Sequence, residues 1–134
     1  MKTKIFCDSA DFTTIKKLNN NSLVSGFTTN PSLMKLSGAK NYRHYSLKLL
    51  KVCKKKAISL EVFGDTFDQM LRQAMIINSW GKNVYVKIPI VNSKGLYSGK
   101  VINALSKKGI KLNITAVYTV KQVKKILKSI NKNS

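Results

Sequence analysis

Acidic residues are scarce in this sequence: five, against 25 lysines and arginines, for a formal net charge of +20. The imbalance invites an anionic partner, nucleic acid included. Arginine, however, is nearly missing, with only Arg43 and Arg72. Base readout and bidentate phosphate contacts favour arginine over lysine, which argues against nucleic acid as the main partner. The lysines accompany many Asn and Ile, a mixture that an AT-rich coding sequence yields without selection for binding. A truncated basic protein that binds nucleic acid or other anions remains the alternative from another functional class; a positive surface also attracts phosphorylated metabolites.

Cysteine is almost as rare. Cys7 and Cys53 show no CxxC spacing and have no neighbouring histidine, so a disulfide framework or a structural zinc is not expected. No metal or cofactor is expected either, and a reducing cytoplasm fits. No apolar run reaches the roughly 18 residues of a membrane span. The opening Met-Lys-Thr-Lys-Ile-Phe-Cys-Asp lacks a secretory apolar region. Gly95 and Gly99 do not form a phosphate loop, and no stretch reads as a linker or repeat. His44, on a lysine-rich helix, reads as a surface residue, Trp80 as packing at a helix end, and Cys7 as facing a helix layer.

What is present is enough apolar material, 43% of 134 residues, for one domain over residues 1–134. Strand-like and helix-like stretches alternate. Ile5 to Asp8 reads as a strand, followed by a helix capped by Ser9 or Asp11 with Phe12, Ile15 and Leu18 inward. Leu23 to Thr28 is the second strand. Asn30-Pro31 then opens a helix, and after Gly38 a further helix carries Tyr42, Tyr45, Leu49 and Val52. Ala57 to Phe63 is the third strand. Thr66 and Gln69 form a capping box for a helix presenting Phe67, Met70, Leu71 and Ala74. Val84 to Ile90 is the fourth strand, and the helix after it carries Leu96, Val101, Ile102 and Leu105 and stops at Gly109. Leu112 to Tyr118 is the fifth strand. Thr119 and Gln122 box a last helix lined by Val120, Val123, Ile126, Leu127 and Ile130, and residues 131–134 form a polar, frayed tail. Five strand–helix units imply an α/β fold with parallel strands and right-handed crossovers, a (β/α) barrel or an open doubly wound sheet.

The stretch Asn83 to Ile90, Asn-Val-Tyr-Val-Lys-Ile-Pro-Ile, stands out. It reads as a strand buried on both faces, and yet it holds Lys87. Desolvation disfavours an ammonium ion and leaves a neutral amine able to attack a carbonyl. Chemistry in parallel α/β folds gathers at the carboxyl ends of the strands. There the sequence places Asp8, then Thr28, Thr29 and Asn30, then Ser59 and Glu61, then Lys87, then Asn113 and Thr115. A buried amine condenses with a ketone to an imine, an electron sink for making or breaking a carbon–carbon bond. Asp8 and Glu61 are available to move protons or activate water, and Asn30, Asn113 and Thr115 to hold hydroxyls.

Phe-Thr-Thr-Asn-Pro-Ser at 27 to 32, Ser-Leu-Glu-Val at 59 to 62, Val-Lys-Ile-Pro at 86 to 89 and Leu-Asn-Ile-Thr-Ala-Val-Tyr at 112 to 118 resemble the transaldolase family. The likeness is to its short-chain branch, which also holds the fructose-6-phosphate aldolases, and it spans nearly the whole chain. It implies a class I aldolase-type (β/α) TIM barrel of which only about the first five βα units are present. It implies that Lys87 is the Schiff-base lysine, Asp8 the acid/base for carbon–carbon cleavage, and Glu61 with Thr115 the holders of the catalytic water. Asn30 and Asn113 would contact a dihydroxyacetone unit, with Thr28, Thr29 and Ser59 around them. The implied reaction transfers that unit between sedoheptulose 7-phosphate/glyceraldehyde 3-phosphate and erythrose 4-phosphate/fructose 6-phosphate, in the non-oxidative pentose phosphate pathway. Glutamate at 61, where the aldolases tend to have glutamine, favours transaldolase over aldolase. The family's later strands, which carry the groups that grip the substrate phosphate, have no counterpart here. A C-terminal half, another chain, or copies of this one in a homo-oligomer would supply them, and both outer strands offer an open edge.

Overall fold

Two-residue periodicity in the strands decides which side chains meet the helices. The computed structural model describes Thr3 to Ile130. Its strands are β1 (Ile5–Asp8), β2 (Val24–Thr28), β3 (Ala57–Glu61), β4 (Val84–Pro89) and β5 (Leu112–Thr115). Its helices are α1 (Phe12–Asn19), α2 (Pro31–Leu36), α3 (Tyr42–Val52), α4 (Phe67–Asn78), α5 (Gly99–Lys107) and α6 (Val120–Ser129). The strands form one sheet in the sequential order β1-β2-β3-β4-β5. That order is what successive right-handed βα crossovers produce, so the expected α/β class with five βα units of the barrel type is observed. No described helix is long and apolar enough to cross a membrane.

The residues sort into two compact units. The first comprises Met1–Glu61 and Trp80–Val84, the second Val62–Ser79 and Tyr85–Ser134. In the first, β1 pairs parallel with β2 and β2 with β3. Phe27, Ile58 and Leu60 are fully buried, with Ile15 of α1 and Leu49 of α3 in the same core. Gly26 is required by a close approach: a Cβ there would lie 2.7 Å from the Phe6 ring and 2.6 Å from the carbonyl oxygen of Ala57. Tyr45 ties the layers by donating its hydroxyl to the carbonyls of Ala10 (2.9 Å) and Ser37 (3.2 Å). The Trp80 ring packs against Tyr42 at 6.2 Å between centroids, as its place at a helix end suggested.

In the second unit β4 pairs parallel with β5. Val86 and Ile88 are fully buried together with Met70 and Ala74 of α4 and Val101, Ile102 and Leu105 of α5. The caps follow the sequence. Asp11, Asn30, Thr66 and Thr119 each accept from a backbone N–H of the helix they open, and the Thr66–Gln69 and Thr119–Gln122 boxes are both complete. Gly109 follows α5 with a φ of +69°, left-handed backbone that a side chain would strain.

Several details differ from expectation, beyond one-residue shifts at the start of β2 (Val24) and the end of β4 (Pro89). The third strand ends at Glu61 rather than Phe63, where the N–H groups of Phe63 and Gly64 turn to the Gln73 side chain. The fifth ends at Thr115 rather than Tyr118, because Ala116 adopts a φ of +59° and leaves the extended region. Leu96 lies outside α5, in a turn closed by the Asn92 side chain, which accepts from the N–H groups of Lys94 and Leu96. Of the five residues expected to line the last helix, only Ile126 is buried. The tail at 131–134 lies outside the described residues. Truncation tests the core directly: Leu60→Ala should lower the unfolding free energy by about 3 kcal/mol in chemical denaturation. Leu36→Ala, at a residue 84% exposed, should change it by less than about 0.5 kcal/mol.

Candidate active site

In the first unit the carboxyl ends of three strands line up a row of polar groups. Asp8 is in register with Thr28, and Thr28 with Ser59. Residues in register on parallel strands point to the same face, and Glu61, two residues beyond Ser59, shares it. The Thr28 hydroxyl donates to the Asp8 carboxylate at 2.7 Å. This contact fixes the acid's rotamer and supplies a donor to its ionised form. Thr29 is fully buried, and its hydroxyl donates to the Ser59 carbonyl at 2.8 Å, holding the end of β2 against β3. Asn30 uses its side-chain oxygen to cap α2, accepting from Leu33 N–H at 2.8 Å. Its amide group is then the part it can offer to a hydroxyl.

Glu61 is half-buried at the end of β3. Its backbone carbonyl accepts the Tyr42 hydroxyl at 2.8 Å. Burial pushes the Tyr42 phenol well above the ordinary tyrosine value; the bond to the Glu61 carbonyl works against that, and the Glu61 charge adds to it. The phenol therefore stays protonated and keeps donating. Sequence reasoning placed Tyr42 only on a helix face. No local pattern marks a contact between residues 19 positions apart.

In the second unit the lysine is where the strand pattern put it. Lys87 is 9% exposed, between the fully buried Val86 and Ile88. Its strand is held on one side by Val62 N–H, which donates to the Lys87 carbonyl at 3.1 Å. On the other side Lys87 is in register with Asn113 and Pro89 with Thr115. The amine, the amide and the hydroxyl thus share one face of β4 and β5. Tyr85, also on that face of β4, has Lys111 over its ring at 5.7 Å. The loops after β3 and β4 are pinned together: the Asp65 carboxylate accepts from the N–H and the hydroxyl of Ser93, both at 2.8 Å. Among the described residues no group of three His, Cys, Asp or Glu side chains is placed to hold a metal ion. Cys53 is buried, and burial raises its thiol to about 11, so it is a packed apolar group rather than a nucleophile.

A family description, transaldolase/fructose-6-phosphate aldolase, matches residues 5–133. The chain belongs to that family. Among its relatives are proteins named probable transaldolase from Streptococcus pyogenes serotype M5 (strain Manfredo), serotype M49 (strain NZ131) and serotype M1. Each is 40% identical over 121 residues, a match that covers 89% of this chain and 53% of the relative. The chain thus spans about half the length of the curated transaldolase relatives it matches.

The Asp65 clasp gives a pH test. The two Ser93 bonds hold the Asp65 carboxyl below its usual 3.8, the backbone bond being the larger cause. A carboxyl whose folded value is depressed contributes stability that is complete above 3.8 and is lost as pH falls through the folded value. Asp65→Asn should therefore lower the urea midpoint at pH 7 and narrow the wild type's loss of stability between pH 5 and pH 3, both read by circular dichroism.

Proposed function

We propose that the chain carries the imine-forming half of a transaldolase and acts on ketose phosphates through Lys87. The observation that supports it most directly is Lys87 itself, nine-tenths buried in β4 and in register with Asn113, in a member of this family. The Lys87 amine attacks the ketone carbon of the donor. The carbinolamine hydroxyl, which carries the former carbonyl oxygen, takes up a proton from solvent and leaves as water, and an iminium ion forms. Asp8, oriented by Thr28, removes the proton from the hydroxyl on the carbon beyond the bond to be cleaved. That carbon–carbon bond breaks, its electrons run into the iminium nitrogen, and the first aldehyde leaves. The enamine left on Lys87 is a bound dihydroxyacetone unit. It attacks an acceptor aldehyde, the oxygen formed takes its proton back from Asp8, and water releases the new ketose phosphate.

Glu61 and Thr115 are the groups proposed to hold the water that enters and leaves the imine, with Tyr42 anchoring the Glu61 backbone. Asn30 and Asn113 hold hydroxyls of the donor, and Thr28, Thr29 and Ser59 shape the floor beneath it. Transfer from sedoheptulose 7-phosphate to glyceraldehyde 3-phosphate, giving erythrose 4-phosphate and fructose 6-phosphate as in the non-oxidative pentose phosphate pathway, is the specific reaction proposed, and a cytoplasmic location goes with those substrates. The family also includes fructose-6-phosphate aldolases. The glutamate at 61 supports transfer to an acceptor sugar over release of free dihydroxyacetone.

Borohydride reduction in the presence of fructose 6-phosphate tests the reading. A stable adduct, found by peptide mass spectrometry on Lys87 and absent from Lys87→Met, is the expected result. No adduct under conditions that label a full-length Streptococcus pyogenes relative would overturn it. Free dihydroxyacetone with glyceraldehyde 3-phosphate, giving fructose 6-phosphate at a rate equal to transfer, would assign the aldolase reaction instead.

A further inference from the structure

The acids of the first unit all lie at one end of it. Asp8 and Glu61 close β1 and β3, and Asp11 caps the start of α1, each at the carboxyl end of a strand. The opposite end is made by the turns that lead into β2, β3 and β4, at residues 20–23, 53–56 and 80–83. These three turns are tied together. Asn83 donates its side-chain amide to the carbonyls of Cys53 and Lys56, the latter at 2.8 Å. Its own carbonyl accepts from Ile58 N–H at 3.0 Å. Lys56 Nζ donates in turn to the carbonyls of Leu18 at 3.2 Å and Asn21 at 2.6 Å. The Asn21 side chain accepts from Leu23 N–H at 2.9 Å and fixes the turn that leaves Leu23 71% exposed. At the same end Lys17, in the last turn of α1, and Lys54, Lys55 and Lys82 are exposed. The three turns contain no Asp or Glu. A lysine-rich composition accounts for the number of these charges, but not for a lysine surface braced by its own hydrogen bonds, with the acids at the far end.

We propose that this end of the first unit docks on an anionic lipid bilayer. Its lysines meet headgroup phosphates and carboxylates, and Leu23 enters the boundary between headgroups and acyl chains. Two observations choose a bilayer over nucleic acid. An exposed leucine held among lysines finds only phosphates on a nucleic-acid backbone, whereas a bilayer has an apolar layer beneath its charges. The surface also holds no arginine. The unit's one arginine, Arg43, lies at the start of α3, toward the other end. Lysine is a compact point charge, suited to a diffuse charged surface rather than to bidentate contacts. The five residues of β3 put roughly 13 Å between this end and Glu61. Docking therefore leaves Asp8 and Glu61 uncovered. The inference does not rest on the imine chemistry, so a negative borohydride result leaves it standing.

The test is co-sedimentation of the full chain with lipid vesicles at about 0.15 M ionic strength. Vesicles of phosphatidylcholine and phosphatidylserine at roughly three to one should bind it at least about tenfold more tightly than vesicles of phosphatidylcholine alone. Each lysine near an anionic surface is worth about fivefold, so Lys54→Gln with Lys55→Gln should weaken binding about twentyfold. Lys121→Gln with Lys124→Gln, on α6, removes the same net charge and should change binding by less than about twofold, because screening confines the attraction to groups close to the membrane. Leu23→Ser should weaken binding about fivefold through lost apolar burial. All three variants should keep the wild-type thermal midpoint, since the residues changed are exposed. Equal binding to the two kinds of vesicle, equal losses from the two lysine pairs, or full binding by Leu23→Ser would each overturn the proposal. So would tighter binding to duplex DNA or RNA than to the anionic vesicles through Lys54 and Lys55.

Discussion

Holding a lysine side chain in the middle of an apolar strand is the constraint on which the rest of this structure depends. Val84, Val86 and Ile88 are buried on one face of β4, and that burial fixes the strand's rotation. With a period of two, Lys87 has no choice but the other face. Slipping the pairing by one residue would put the lysine among Met70, Ala74 and Ile102 and expose three branched side chains, at a cost of several kcal/mol. The apolar layer therefore positions the amine without touching it chemically.

The same division of labour runs through the first unit. Ile58 and Leu60 point to the helices, and Ser59 and Glu61 to the face shared with Thr28 and Asp8. Backbone bonds at the strand ends then set the finer geometry. Thr29 donates twice to the Ser59 carbonyl, once from its hydroxyl and once from its N–H, and Tyr42 secures the Glu61 carbonyl. Asn30 belongs to both levels, capping α2 with one atom while its other end remains a hydrogen-bond donor.

Acids are so few that the role of each is readable. Asp11 and Asp65 satisfy backbone N–H groups at the start of α1 and in the loops around β4, and Asp68 lies in the first turn of α4, where negative charge suits the dipole. Asp8 and Glu61 stand apart from that pattern. They occupy strand ends, which is why scarcity itself singled them out.

Sequence alone determined the strand–helix order, the helix caps at Asn30, Thr66 and Thr119, the face on which Lys87 lies and the family, since these follow from local periodicity, short capping patterns and four motifs in order. Tertiary structure alone decided what depends on contacts distant in sequence. The Tyr42 anchor, the Asp65–Ser93 clasp and the pairing of Asp8 with Thr28 join residues 19, 28 and 20 positions apart. Ala116 ended β5 early through a backbone conformation that its residue type does not announce. The exposure of Val120, Val123 and Leu127 on α6 was equally hidden. Periodicity shows that a helix has an apolar stripe, but only packing shows whether anything covers it.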